Sequence, residues 1–134
     1  MELDSKDSSV DSCVLLRIIQ RNNAEQFKKA TELLLSGRDL YVDDVVIMEI
    51  VYVLVKDKMS RAKIVENIRL LLNNPVFIWD RMFFDPIFDN FLKHPSLSFD
   101  DCILDARIAM KRRAPLWTFD RKFANQSNVA RIVA

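Results

Sequence analysis

In 134 residues the sequence holds one glycine, one histidine and two cysteines. With Gly37 alone, neither G-x-G-x-x-G nor a P-loop can be written, so a glycine-built phosphate cradle is excluded. His94 alone excludes His-rich zinc sites and any mechanism that needs two imidazoles. Cys13 and Cys102 are too few for a four-thiolate metal site or a disulfide framework. Neither sign of charge predominates: 20 Lys+Arg stand against 19 Asp+Glu, a net charge of +1. General affinity for polyanions is therefore not expected, and any nucleic-acid contact has to come from local patches. The longest apolar run, residues 45–55, is interrupted by Glu49 and is far short of the roughly 20 residues that span a bilayer. Residues 1–12 are polar and acid-containing and lack the apolar core of a signal peptide. The expectation is a cytoplasmic protein with reduced cysteines and no membrane contact.

What is present is a globular balance, 50% apolar and 29% charged. One domain over residues 1–134 is expected, long enough to bury roughly two-thirds of its unfolded surface without staples. The acid–base chemistry open to an enzyme of this composition is mostly carboxylate chemistry.

Helix signals dominate the pattern. Asn23 and Gln26 have capping-box spacing, and residues 24–36 carry Phe27, Ala30, Leu33 and Leu34 at helical intervals before Gly37. Asp43 and Asp44 can cap a helix over 45–56; its β-branched composition also suits a strand, but length and the acidic cap favour a buried helix. Ser60 opens a helix to about residue 73, with Ile64, Ile68 and Leu71 on one face. Residues 80–93 read as a helix disturbed at Pro86, and Ser98 with Asp101 opens another to about residue 112. Short strands are expected at Ser8-Ser9-Val10, Leu40-Tyr41-Val42, 76–79, 116–118 and 129–133. Strands alternating with helices imply an α/β fold, a short central parallel sheet flanked by helices. In such folds ligands bind off the carboxyl ends of the strands.

Asp11 follows the first strand and Asp120 the fourth, while Asp101 lies in the first turn of the helix opened by Ser98. Each has an ordinary structural use as a helix cap or capping-box acid. Glu49 is the anomaly, a carboxylate inside the most apolar run. Its neighbours one turn away are Val45, Val46, Tyr52 and Val53, so its partner must come from elsewhere in the fold or be a metal.

These residues carry a resemblance. Val10-Asp11-Ser12-Cys13-Val14-Leu15-Leu16-Arg17 resembles the opening motif of PIN-domain ribonucleases, an Asp, a small polar residue and an apolar run ending in Leu-Leu-Arg. Met48-Glu49-Ile50-Val51-Tyr52-Val53-Leu54 is similar to their second motif, and Ser98-Phe99-Asp100-Asp101-Cys102-Ile103-Leu104 to the third. Trp117-Thr118-Phe119-Asp120-Arg121-Lys122-Phe123 is similar to the fourth, Thr-Phe-Asp with a basic residue and a closing Phe. The motifs run in family order over nearly the whole chain, and its size suits the VapC branch, toxins of type II toxin–antitoxin pairs.

The resemblance implies a PIN-like fold and a metal-dependent endoribonuclease using Mg²⁺ or Mn²⁺. It implies a carboxylate cluster of Asp11, Glu49, Asp101 and Asp120, which serve as both catalytic residues and metal ligands. Thr118, Asp105 and Ser12 are expected as helpers around these ligands, Asp105 with the alternative of pairing with Arg107 or Arg112. Arg121, Lys122, Arg112 and Arg17 are candidates for contact with the RNA substrate. A cognate antitoxin and a homodimer are the partners the family implies. The rival functions are an RNA-processing PIN nuclease without a toxin role and a non-catalytic RNA- or protein-binding module. Cys13 and Cys102 are expected as small buried thiols, His94 as a surface residue, and Trp79 and Trp117 as core.

Overall fold

The computed structural model describes residues 7–134. The reading of the first residues as lacking a signal-peptide core falls partly on 1–6, outside the described residues. The chain forms two compact units, one ending at Asp80 and the other running from Arg81 to Ala134.

The first unit runs β1 (Asp7–Ser9), α1 (Ser12–Gln20), α2 (Ala24–Leu34), β2 (Asp39–Tyr41), α3 (Asp44–Lys56), α4 (Arg61–Leu72) and β3 (Phe77–Ile78). Its strands pair in parallel in the order β1-β2-β3, with Ser8 opposite Leu40 and Leu40 opposite Phe77. Single hydrogen bonds carry the ladder past the strand ends, Val10 N–H to Tyr41 O at 3.0 Å and Val42 N–H to Ile78 O at 2.8 Å. The next residue on each strand is an aspartate, Asp11 or Asp43, in extended conformation as a helix N-cap. Helices α1 and α3 therefore begin off the carboxyl edge of the sheet, where open α/β folds hold their ligands.

The ambiguous run 45–55 is helical. Asp43 caps it through the Val45 N–H, and Ile47, Ile50, Val51 and Leu54 recur at helical intervals on its buried side. Ile64, Val65, Ile68 and Leu72 do the same on α4, and Leu15 and Leu16 on α1. Each such side chain contributes about 1.5–3 kcal/mol on burial. Gly37 comes two residues after the C-cap Leu35 and takes φ +81, and no atom beyond its chain neighbours lies within 4 Å of where a Cβ would stand. Backbone conformation, not space, favours glycine there.

The second unit runs α5 (Arg81–Lys93), α6 (Phe99–Met110), β4 (Leu116–Thr118), α7 (Arg121–Gln126) and β5 (Ala130–Ile132). Its core is aromatic. Phe84, Phe88 and Phe91 on α5 gather around Phe99 of α6, with ring centroids at 6.3, 5.6 and 5.3 Å. Pro86 stays within α5 and leaves the Met82 carbonyl without its helical donor. Strands β4 and β5 pair in parallel as their own two-stranded sheet, Trp117 opposite Arg131. The Ala114–Pro115 bond before β4 is cis. Among the described residues no helix is long and apolar enough to cross a membrane.

Candidate active site

In the first unit the site is built from α1 and α3. Asp11 caps α1, its Oδ1 accepting the Ser12 N–H at 2.7 Å. The Ser12 hydroxyl is buried beside it, 3.4 Å from Asp11 Oδ1, and donates to Glu49 Oε2 at 2.6 Å. One hydroxyl thus links two carboxylates that lie 38 positions apart in the sequence. The Cys13 thiol stands 3.7 Å from Asp11 Oδ2.

Ser12 is the partner that Glu49 needed. The expected burial of Glu49 does not hold, however: it is exposed, on the side of α3 that also exposes Val45 and Tyr52. The run is apolar on all sides, so its pattern does not mark which side faces the core.

In the second unit the acids are held by local capping. Asp101 completes the capping box of α6: its N–H donates to Ser98 Oγ at 3.1 Å, and its Oδ2 accepts the Ser98 N–H at 3.3 Å. Asp120 caps α7 by accepting the Phe123 N–H at 3.1 Å on Oδ1. Thr118 acts on Asp120 through the main chain, its Oγ1 accepting the Asp120 N–H at 3.0 Å. Asp105 accepts a hydrogen bond from the Ser127 hydroxyl, not from Arg107 or Arg112. Ser127 Oγ in turn accepts the N–H groups of Val129 and Ala130 at 3.0 and 2.8 Å, so Asp105 anchors the approach to β5. Arg107 lies over the Phe83 ring at 5.3 Å.

Each of the four expected ligands thus has one oxygen engaged, Asp11, Asp101 and Asp120 in capping and Glu49 by Ser12 of α1. Among the described residues, the second oxygen of Glu49, Asp101 and Asp120 takes no hydrogen bond, and that of Asp11 meets only the thiol. Capping and ion binding are compatible for these side chains. Carboxylate oxygens are the donors that hard divalent ions such as Mg²⁺ and Mn²⁺ prefer, so the residues fit the group by chemistry. Within neither unit, among the described residues, do three or more His, Cys, Asp or Glu side chains gather closely enough to hold an ion.

Arg121 and Lys122 are exposed in the first turn of α7, directly after Asp120. Arg112 is exposed just past α6 with φ +53. The Arg17 guanidinium is engaged, donating to Gln26 Oε1 and, at 3.0 Å, to Asn22 Oδ1. A groove of about 320 Å³ between α1 and α2 is lined by Cys13, Val14, Arg17, Lys29 and Leu33.

Several smaller expectations are corrected. Cys13 is exposed, because the second position of α1 faces away from the Leu15–Leu16 side; Cys102 is buried as expected. His94 is half-buried. Trp79 is half-buried, its Nε1–H donating to Leu72 O at 3.2 Å. Trp117 is 62% exposed, since β4 turns Leu116 and Thr118 inward and the residue between them outward. Sequence reading gave Asp43 no role beyond capping. It also accepts the Tyr41 hydroxyl at 2.9 Å, and its position after β2 matches that of Asp11 after β1, which is the signal that marks it. The Val45 N–H, and then the Tyr41 hydroxyl, hold the Asp43 carboxyl below its usual 3.8, while Asp43 pushes the Tyr41 hydroxyl up.

The family model for the PIN domain matches residues 9–128. No curated protein matches the chain.

Proposed function

The chain belongs to the PIN domain family, whose members are generally nucleases, and from that premise we propose that it is an endoribonuclease dependent on Mg²⁺ or Mn²⁺. The observation that carries this reading is the Ser12 hydroxyl joining Asp11 to Glu49 at the carboxyl edge of the three-stranded sheet. Asp11, Glu49, Asp101 and Asp120 supply the ligands. A bound divalent ion lowers the pKa of water and neutralises charge on a phosphodiester. The Ser12 hydroxyl holds Glu49 in place, the Ser98 backbone N–H holds the Asp101 carboxylate, and Thr118 holds the main chain of Asp120. Arg121, Lys122, Arg112 and Arg17 supply positive charge for phosphates, which makes binding steeply salt-dependent. Water attacks rather than the RNA 2′-OH, leaving 5′-phosphate and 3′-OH ends.

The biological role we propose is a VapC-like toxin in the cytoplasm, paired with an antitoxin and acting as a homodimer. Val45, Tyr52 and Val55, exposed at helical intervals on α3, support a self-association surface. Expression that leaves growth intact favours an RNA-processing role instead.

The test is incubation with total RNA and Mn²⁺, comparing the parent with Asp101→Asn and mapping the cut ends. Cleavage by the parent alone, with 5′-phosphate ends, is the expected result. A cyclic 2′,3′-phosphate product refutes the water attack. Absence of both cleavage and divalent binding favours a binding module.

A further inference from the structure

Two of the largest apolar side chains of the second unit do nothing for its core. Trp117 is 62% exposed and Phe119 81% exposed. They stand two positions apart, Trp117 within β4 and Phe119 at the bend that follows it, on either side of Thr118, whose carbonyl still accepts the Val133 N–H at 3.0 Å. Both rings sit on ordered backbone, one fixed by the β4–β5 ladder and the other between two residues, Thr118 and Asp120, that hydrogen-bond each other.

The charges around them are lopsided. Arg131 is exposed and lies directly opposite Trp117 in the parallel ladder, so its side chain leaves the same face of the sheet. Arg121 and Lys122 follow Phe119 by two and three positions and are exposed. Against these cations the segment offers one acid, Asp120. Flat exposed rings interleaved with cations match a ligand that presents π-faces and anions together, and an unpaired polynucleotide strand does so at every nucleotide. A duplex hides those faces in its stack.

We propose that Trp117 and Phe119 form a stacking platform for unpaired bases next to Asp120, with Arg131, Arg121 and Lys122 taking the adjoining phosphates. This rests on the nuclease reading and adds to it a positioning device. A base stacked on Phe119 brings its own phosphodiester beside the very next residue, Asp120, so the platform selects unpaired stretches.

The test measures binding without divalent ions, in EDTA, where no cleavage occurs. The probes are a fluorescent single-stranded oligoribonucleotide and a blunt RNA hairpin stem. Trp117→Ala and Phe119→Ala are each expected to weaken single-strand binding by about 5- to 100-fold, with stem binding unchanged. Phe119→Tyr keeps the parent affinity and Phe119→Leu does not. The proposal is overturned if the parent does not bind the strand, if both alanine variants bind it as the parent does, or if Leu restores binding as well as Tyr. It is also overturned if the alanine variants instead change self-association by sedimentation while strand binding stays put, which assigns the rings to a second copy of the chain. Its failure is separable from that of the nuclease reading. Cleavage in Mn²⁺ with ring-independent binding removes only the platform, and ring-dependent binding without cleavage removes only the nuclease.

Discussion

The acids of the two units are held in different ways. Asp11 and Glu49 depend on each other, because Ser12 on α1 reaches across to α3. Asp101 and Asp120 depend on their own helix starts, each closing a cap within three residues. The first arrangement exists only when α1 and α3 are packed correctly. The second is written into local sequence and survives wherever the helix forms. Substitutions around the first pair should therefore disturb the chemistry, and those around the second pair mainly the folding.

The sharpest way to break this contrast is to remove charge while keeping the cap. Asparagine caps helices as well as aspartate does. Asp11→Asn, Asp101→Asn and Asp120→Asn are expected to keep stability within about 0.5 kcal/mol in urea titrations. Their cleavage of RNA should fall by more than the roughly 10- to 100-fold typical of losing an outer partner of a metal ligand. A variant that unfolds shows that the acid is needed for capping charge rather than chemistry.

Ser12→Ala comes next. It cuts the link to Glu49, so activity should drop about 10- to 100-fold, with about 1 kcal/mol of stability lost. Ser98→Ala is its control in the other unit: about 1 kcal/mol of stability lost as the capping box opens, with activity near that of the parent. Equal activity losses from the two serines erase the distinction between the units. Ser127→Ala strands the Asp105 carboxylate and the N–H groups of Val129 and Ala130, and should cost about 1–3 kcal/mol in thermal or urea unfolding.

The smallest effect is electrostatic. The Asp43 carboxyl sits below its usual value, chiefly through the Val45 N–H and then Tyr41. Its contribution to α3 is therefore complete above the unfolded pKa and is lost as pH falls through the lower folded value. Tyr41→Phe should move Asp43 back toward 3.8, seen by NMR titration of its carboxyl. No movement assigns the depression to the backbone N–H alone.

What was legible in the sequence follows the same division. The Ser98–Asp101 box, the Asn23 and Ser60 caps and the Asp43 cap that makes 45–55 a helix all rest on contacts within a few residues. The positions of Asp11, Asp101 and Asp120 at helix starts were legible from the same local signals, whereas Glu49 lies inside α3. Interactions between distant segments were not legible. The first strand was expected at Ser8-Ser9-Val10 and lies at Asp7–Ser9, but its pairing with Asp39–Tyr41 is not marked by its polar side chains. No spacing rule connects Asp105 to Ser127, or Ser12 to Glu49. The exposure of Glu49 was hidden because α3 exposes Val45, Tyr52 and Val55, as apolar as what it buries. The outward face of Trp117 was not legible because a three-residue strand holds too little alternation to mark it.

Mn²⁺ titration followed by its EPR signal decides whether these carboxylates are ligands of a divalent ion, as we propose. One binding event is expected in the parent, weakened about tenfold or more by Glu49→Gln and by Asp101→Asn. Parent-like Mn²⁺ affinity in either variant, with the fold intact, contradicts the proposal.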